Sequence, residues 1–127
     1  SAFLFAVLYW FSWRSFHATL AHRRRRSRKK SMESFLAEQQ GTIALPHRCS
    51  EAVIAIWSLQ SALENPEPSK VDYSISHSRF RAAYDFFVLR ASVGDASSKM
   101  AQWWTVYQAA DHLEAPALLD GLADLIG

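Results

Sequence analysis

A single cysteine, four glycines and four prolines in 127 residues remove several architectures at once. Cys49 alone cannot close an internal disulfide, and with no Cys/His cluster at ligand spacing a structural zinc site is not expected. So few turn-formers disfavour a β-sandwich or barrel, which needs a tight turn every few residues. Gly41, Gly94, Gly121 and Gly127 stand apart, so no glycine-rich phosphate loop exists. The histidines (17, 22, 47, 77 and 112) show no HxxxH or HExxH spacing, and no closely spaced acidic pair is present to hold two Mg²⁺ ions. His47 lies near Cys49, but nearness in sequence does not make a nucleophile–base pair. No complete catalytic centre is expected in this chain.

A long hydrophobic run is also missing. Residues 2–11 are apolar without interruption, but Ser12 and Arg14 follow, whereas a membrane-spanning helix needs about 20 apolar residues. A signal peptide carries its positive charge before the apolar stretch, and here the charge comes after it. Membrane insertion is therefore not expected. The first residue is Ser rather than Met, as in a segment of a longer polypeptide. The lone thiol suits a reducing cytoplasm.

What the first 30 residues lack most clearly is acid. They carry Arg14, Arg23, Arg24, Arg25, Arg26, Arg28, Lys29 and Lys30 and no Asp or Glu, while all twelve acids of the chain fall in residues 31–127. The formal charge of +2 thus hides a cationic end joined to an acidic body. Such asymmetry points to a polyanion or an anionic surface as partner. Seven cations in residues 23–30 (RRRRSRKK) repel one another, and phosphates that neutralise them release counterions. The plain alternative is a solvated helix extension or linker, and the two remain open on sequence.

Half of the residues are hydrophobic and 13% are aromatic, enough for one real core. The patterning predicts an all-α, bundle-like array of five to six helices with no sheet. Residues 2–22 read as a helix apolar nearly all round, as suits burial by neighbours. Ser31 is a candidate cap for a helix over 32–40 ending at Gly41, and Pro46 fits a first helical turn. Over 50–63, capped by Ser50, the stripe Val53, Ile56, Trp57, Gln60 and Leu63 predicts a core-facing helix. Residues 65–68 (NPEP) form the clearest loop. Over 78–91 the buried face is Phe80, Ala83, Tyr84, Phe87 and Ala91, with an Arg81–Asp85 pair opposite, and Gly94 marks the end. Ser97 or Ser98 caps a helix carrying Met100, Trp103, Trp104 and Tyr107, and Pro116 opens a last one over 117–126. Because Trp103 and Trp104, like Phe86 and Phe87, lie about 100° apart on a helix, one of each pair is expected to face away from the core. Core packing, not base stacking, is the expectation for the aromatics. In organisation, 1–40 (helix, basic cluster, short helix) precedes a helical region over 41–127, the two forming one structural unit.

Four blocks of this sequence resemble the C-terminal region of the bacterial poly(A) polymerase I family, kin of the CCA-adding nucleotidyltransferases. They are SAFLFAVLYW (1–10), LPHR (45–48) with IWSLQ (56–60), HSRFRAAYDFFVLRA (77–91) and MAQWW (100–104). The resemblance covers about residues 1–110 and implies a helical body and tail that holds RNA. The family adds adenosines from ATP to RNA 3′ ends, using a head with a Gly-Ser motif and Mg-binding carboxylates and a neck that recognises ATP. Nothing in this sequence matches head or neck, so no catalytic residue and no cofactor site carries over. The implied partners are single-stranded RNA 3′ ends, the catalytic head itself and RNA-decay proteins, with no DNA and no membrane. Arg79, Arg81 and Arg90 fall in the third block, as phosphate contacts or as stabilisers of the body.

The family often ends in an Arg-rich tail, whereas here no base follows Lys99. The cluster Arg23, Arg24, Arg25, Arg26, Arg28, Lys29 and Lys30 is expected to replace it. Two readings from other classes stand beside this one. One is a helical module that docks another protein through its acidic body. The other is a membrane-surface segment with a basic flank.

Overall fold

Runs of good helix formers interrupted at Gly and Pro give helices and nothing else. A computed structural model describes residues 2–23, 28–40 and 47–126. Among them there are eight α-helices, one 3₁₀ turn and no strand: α1 (Ala2–Arg23), α2 (Arg28–Gln40), α3 (His47–Glu64), the 3₁₀ turn Pro68–Lys70, α4 (Val71–Ser76), α5 (Phe80–Ser92), α6 (Ser98–Ala109), α7 (Ala115–Asp120) and α8 (Leu122–Ile126). The all-α class is as expected. The helices outnumber the expected five to six because the chain forms α4 directly after Pro68 and breaks the last helix at Gly121. Pro46, Gly41 and the connector between them lie outside the described residues, as do Arg24, Arg25 and Arg26. No described helix is long and apolar enough to cross a membrane.

The chain divides into two compact units, residues 1–58 and 59–127. Within the first unit Trp57 is fully buried with its indole N–H donating to the Ala6 carbonyl at 2.9 Å, which ties α3 to α1.

In the first unit α1 buries Ala6, Trp10 and Trp13, the i, i+4, i+7 positions of one face. Met32, Phe35 and Leu36 of α2 and Ala52, Val53, Ile56 and Trp57 of α3 complete the core. Its centre is aromatic: Trp13 stacks on Trp57 at 5.3 Å between ring centroids, and Trp10 and Phe35 pack on the same indole at 6.2 Å. The expectation that neighbours bury α1 all round holds on one face only. Leu4, Leu8 and Phe11 remain more than half exposed on the other, since α2 and α3 cover a single side.

Two expected caps are not caps. Ser31 and Ser50 lie inside α2 and α3, which begin three residues earlier, at Arg28 and His47. The Ser31 hydroxyl is buried and accepts a hydrogen bond from the Trp13 indole at 3.1 Å, so a tertiary partner takes the group that a cap requires. Arg28, Lys29 and Lys30 have high helix propensity and carry the helix back by one turn.

In the second unit α5 buries Phe80, Ala83, Phe86, Phe87 and Arg90. Tyr84 and Ala91, expected on that face, are only half-buried. Ser97 caps α6, its hydroxyl accepting from the Met100 N–H at 3.1 Å. Both members of each aromatic pair are buried, against expectation: Trp103 and Trp104, and Phe86 and Phe87. For the tryptophans the reason is that α6 is walled on two sides. Trp104 donates to the Leu63 carbonyl of α3 at 2.9 Å and packs on Phe80, while Trp103 donates to the Leu118 carbonyl of α7 at 3.0 Å.

Candidate nucleic-acid interface

The described members of the basic cluster are the last residue of α1 and the first three of α2. Arg23 closes α1, Arg28 opens α2, and Lys29 and Lys30 are exposed in the first turn of α2. The Trp13–Ser31 hydrogen bond and the edge-on contact of Tyr9 with Phe35 hold these two helices together. Cations at a helix C-terminus are favourable, but α2 carries three at its N-terminus and no acid in its first turn. There the partial positive charge of the helix end adds to theirs, a placement that costs a few tenths of a kcal/mol per charge or more. An anion near that end would offset both costs.

Arg79 and Arg81 lie at the start of α5 and are exposed. Arg81 pairs with Asp85 at 3.4 Å, as its spacing predicts, and rests 5.6 Å from the centroid of the Tyr84 ring. Both partners of this pair are largely solvated, so it adds little stability and leaves the guanidinium open to exchange. Tyr84 in turn hydrogen-bonds Thr105.

Arg90 is different in kind. Its side chain is 3% exposed. Nε donates to Asp95 Oδ2 at 2.9 Å, Nη1 to Gln60 Oε1 at 2.8 Å, and Nη2 to Glu64 and to the Asp95 carbonyl at 3.2 Å. Gln60 spends its amide N–H on the Ala83 carbonyl at 3.1 Å. The backbone builds the acidic side of this arrangement. Gly94 adopts φ 82°, a conformation costly for other residues, and turns the chain back after α5. The Asp95 N–H then reaches the Arg90 carbonyl at 2.8 Å and the Gly94 N–H the Ala91 carbonyl at 3.1 Å, a Schellman closure that sets the Asp95 carboxylate beside Arg90. Of the two roles open to Arg90 on sequence, phosphate contact or stabiliser of the body, its place favours the second: it follows Phe87 by three and Ala83 by seven, on the buried stripe.

Two further features bear on chemistry. Between α2 and α3 runs a groove of about 650 Å³, with Leu36, Ala37, Ile54 and Ala55 as its apolar lining and Lys29, Glu33, Ser50, Glu51 and Ser58 as its polar groups. In the second unit the part-buried Tyr107 hydroxyl donates to Asp72 Oδ1 at 2.8 Å. Burial first, then the hydrogen bond and negative charge of Asp72, raise the Tyr107 phenol above its ordinary value. A raised folded-state value means that this contribution to stability is complete below pH about 10 and is lost as pH climbs through the folded value. Thermal melts between pH 9 and 11 should therefore fall more steeply for the native chain than for Tyr107→Phe. Equal slopes would show that the phenol is not held in this way.

No group of three or more His, Cys, Asp or Glu side chains among the described residues is arranged to hold a metal ion. The chain thus presents helices whose indole N–H groups serve the interior, one dense cationic segment, and an apolar groove at its side. Residues 20–124 match the family model described as the polymerase A arginine-rich C-terminus. The chain belongs to this family. Over 129 residues it is 29% identical to poly(A) polymerase I of Salmonella typhi, and over 135 residues 26% identical to poly(A) polymerase I of Escherichia coli O157:H7, covering 97% and 95% of this chain. A poly(A) polymerase I of Haemophilus influenzae is 33% identical over 67 residues, 52% of this chain and 15% of that protein. The chain spans only 28% and 27% of the length of the first two relatives.

Proposed function

We propose that this chain is the RNA-holding region of a polynucleotide adenylyltransferase. It grips single-stranded RNA 3′ ends in the cytoplasm, for a catalytic head that uses ATP and Mg²⁺, and does not extend RNA by itself. The observation that carries this reading is the run of seven cations in residues 23–30, with no acid before Glu33. Arg79 and Arg81, exposed on α5, are proposed as secondary phosphate contacts. Arg90 serves the interior of the second unit, because its guanidinium is buried and paired. Family membership supports the reading, since the relatives are named as poly(A) polymerases.

The test is fluorescence anisotropy of labelled single-stranded RNA over a salt series. With roughly 0.7 counterion released per phosphate contact on single strands, engagement of all seven cations predicts a log–log slope near −5. Changing the seven to glutamine should bring the slope toward zero and abolish measurable binding at physiological salt. A slope indifferent to that change, or no binding at low salt, points instead to a protein-docking module.

A further inference from the structure

Tyr73 is the most exposed aromatic side chain among the described residues, with 75% of its surface open to water. The local build explains why. The 3₁₀ turn and α4 follow directly on the NPEP loop, and α4 buries only Val71 and Ser74, which leaves Tyr73 on its outward face. The Ser76 hydroxyl donates to the Tyr73 carbonyl at 2.6 Å and closes the last turn of this short helix. Pro66 and Pro68 fix the backbone of the loop before it. Within the second unit these segments frame a cavity of about 490 Å³, lined by the buried Pro66 and Val71 and by Asn65, Glu67, Lys70 and Tyr73.

We propose that this cavity takes one unstacked nucleotide of single-stranded RNA, with the base on the Tyr73 ring, its edge at the Asn65 amide and its phosphate at Lys70. The proposal rests on the RNA-holding reading given above. A volume of about 490 Å³ is within the range of small-ligand sites. An aromatic ring offers the same face to every base, which is how single strands are held without regard to sequence. The Asn65 amide both donates and accepts, and each of the four bases carries an adjacent donor and acceptor on its edge. Neither the Asn65 amide nor the Tyr73 ring has a partner among the described residues, so both are open to a ligand. Lys70 lies 3.4 Å from Glu67, but the two side chains are 68% and 65% exposed, and a pair so solvated yields readily to a phosphate. The Glu67 carboxylate accepts and does not donate, so it suits a ribose hydroxyl next to that phosphate.

The experiment measures the anisotropy of labelled oligo(A), and of an abasic ribose-phosphate strand of equal length, on the full chain over a salt series. The native chain is compared with Tyr73→Ala, Tyr73→Phe and Lys70→Gln. Tyr73→Ala should bind oligo(A) about tenfold more weakly, within the range of one base stacked on an aromatic ring, at an unchanged salt slope. Tyr73→Phe should stay close to the native affinity, because the ring and not the hydroxyl carries the contact. Lys70→Gln should flatten the slope by about 0.7, one phosphate contact on a single strand. The abasic strand should bind the native chain and Tyr73→Ala alike. Tyr73 is largely solvated, so these variants should melt with the native chain. Equal binding of oligo(A) by the native chain and Tyr73→Ala overturns the proposal. So does a Tyr73→Phe variant as weak as Tyr73→Ala, or an equal loss on the abasic strand. In each of these cases salt-dependent binding by the native chain leaves the RNA-holding reading standing. Failure of the native chain to bind either strand overturns that reading and the nucleotide site with it.

Discussion

Replacing Arg90 by alanine is expected to lower the stability of the chain by about 3–5 kcal/mol, the usual cost of breaking a buried ionic network by removing one partner. The loss comes from the groups left behind. Asp95, 16% exposed, and the buried Gln60 amide oxygen both depend on the guanidinium. Glu64 is 38% exposed and recovers part of its loss from water, so its pair contributes the smaller share. The cation also lies 5.8 Å from the Phe87 ring centroid, and its removal leaves space beside that ring. Lysine cannot repair the site. Its three donors radiate from a single nitrogen, whereas Nε, Nη1 and Nη2 of Arg90 serve different acceptors. Arg90→Lys should therefore recover less than half of the loss. Urea unfolding checks both variants through the midpoint at constant m-value, and a loss below about 1 kcal/mol for alanine would mean that water already shares the network. Folded Arg90→Lys should also keep the native salt slope on RNA, which separates an interior role from phosphate contact.

The contrast between Arg90 and Arg81 shows what was legible in the sequence. Arg81 is placed by helical spacing alone, and the pair with Asp85 is where i, i+4 arithmetic puts it. Stripes of large apolar residues located α3, α5 and α6, and Ser97 and Gly94 ended or opened helices as local chemistry dictates. Tertiary demand decided the rest. Ser31 looks like a cap in isolation, but the Trp13 indole needs an acceptor inside a dry core and takes its hydroxyl. Trp103 looked surplus to one buried face because nothing in the 100° geometry announces α7 as a second wall. The buried positions of Gln60 and Arg90 were visible on their stripes, but that they satisfy each other across 30 residues of sequence was not. At the candidate interface the charge was legible at once, since like charges in a row need no fold to be recognised. The groove was not, because it takes α2 and α3 packed together to bring Glu33 opposite Glu51.

Trp57→Ala is expected to cost a similar amount, about 3–5 kcal/mol, and to separate the packing of the first unit from plain charge attraction to RNA. The indole is fully buried among Trp10, Trp13 and Phe35, and its N–H closes on the Ala6 carbonyl at 2.9 Å. Alanine leaves a cavity at the meeting point of three helices that rigid α-helical backbones fill poorly. Trp57→Phe keeps most of the ring contact and should lose about 1–2 kcal/mol, one hydrogen bond and a little volume. Chemical denaturation followed by tryptophan fluorescence and far-UV circular dichroism measures both losses, and near-equal stability of alanine and phenylalanine variants would show that the site relaxes instead of holding a void. The consequence for RNA follows from what each term depends on. A salt slope counts cations, and residues 23–30 keep all seven whether or not the first unit is packed. Loosening Trp57 should therefore leave the slope on RNA near its native value even as the first unit loses stability.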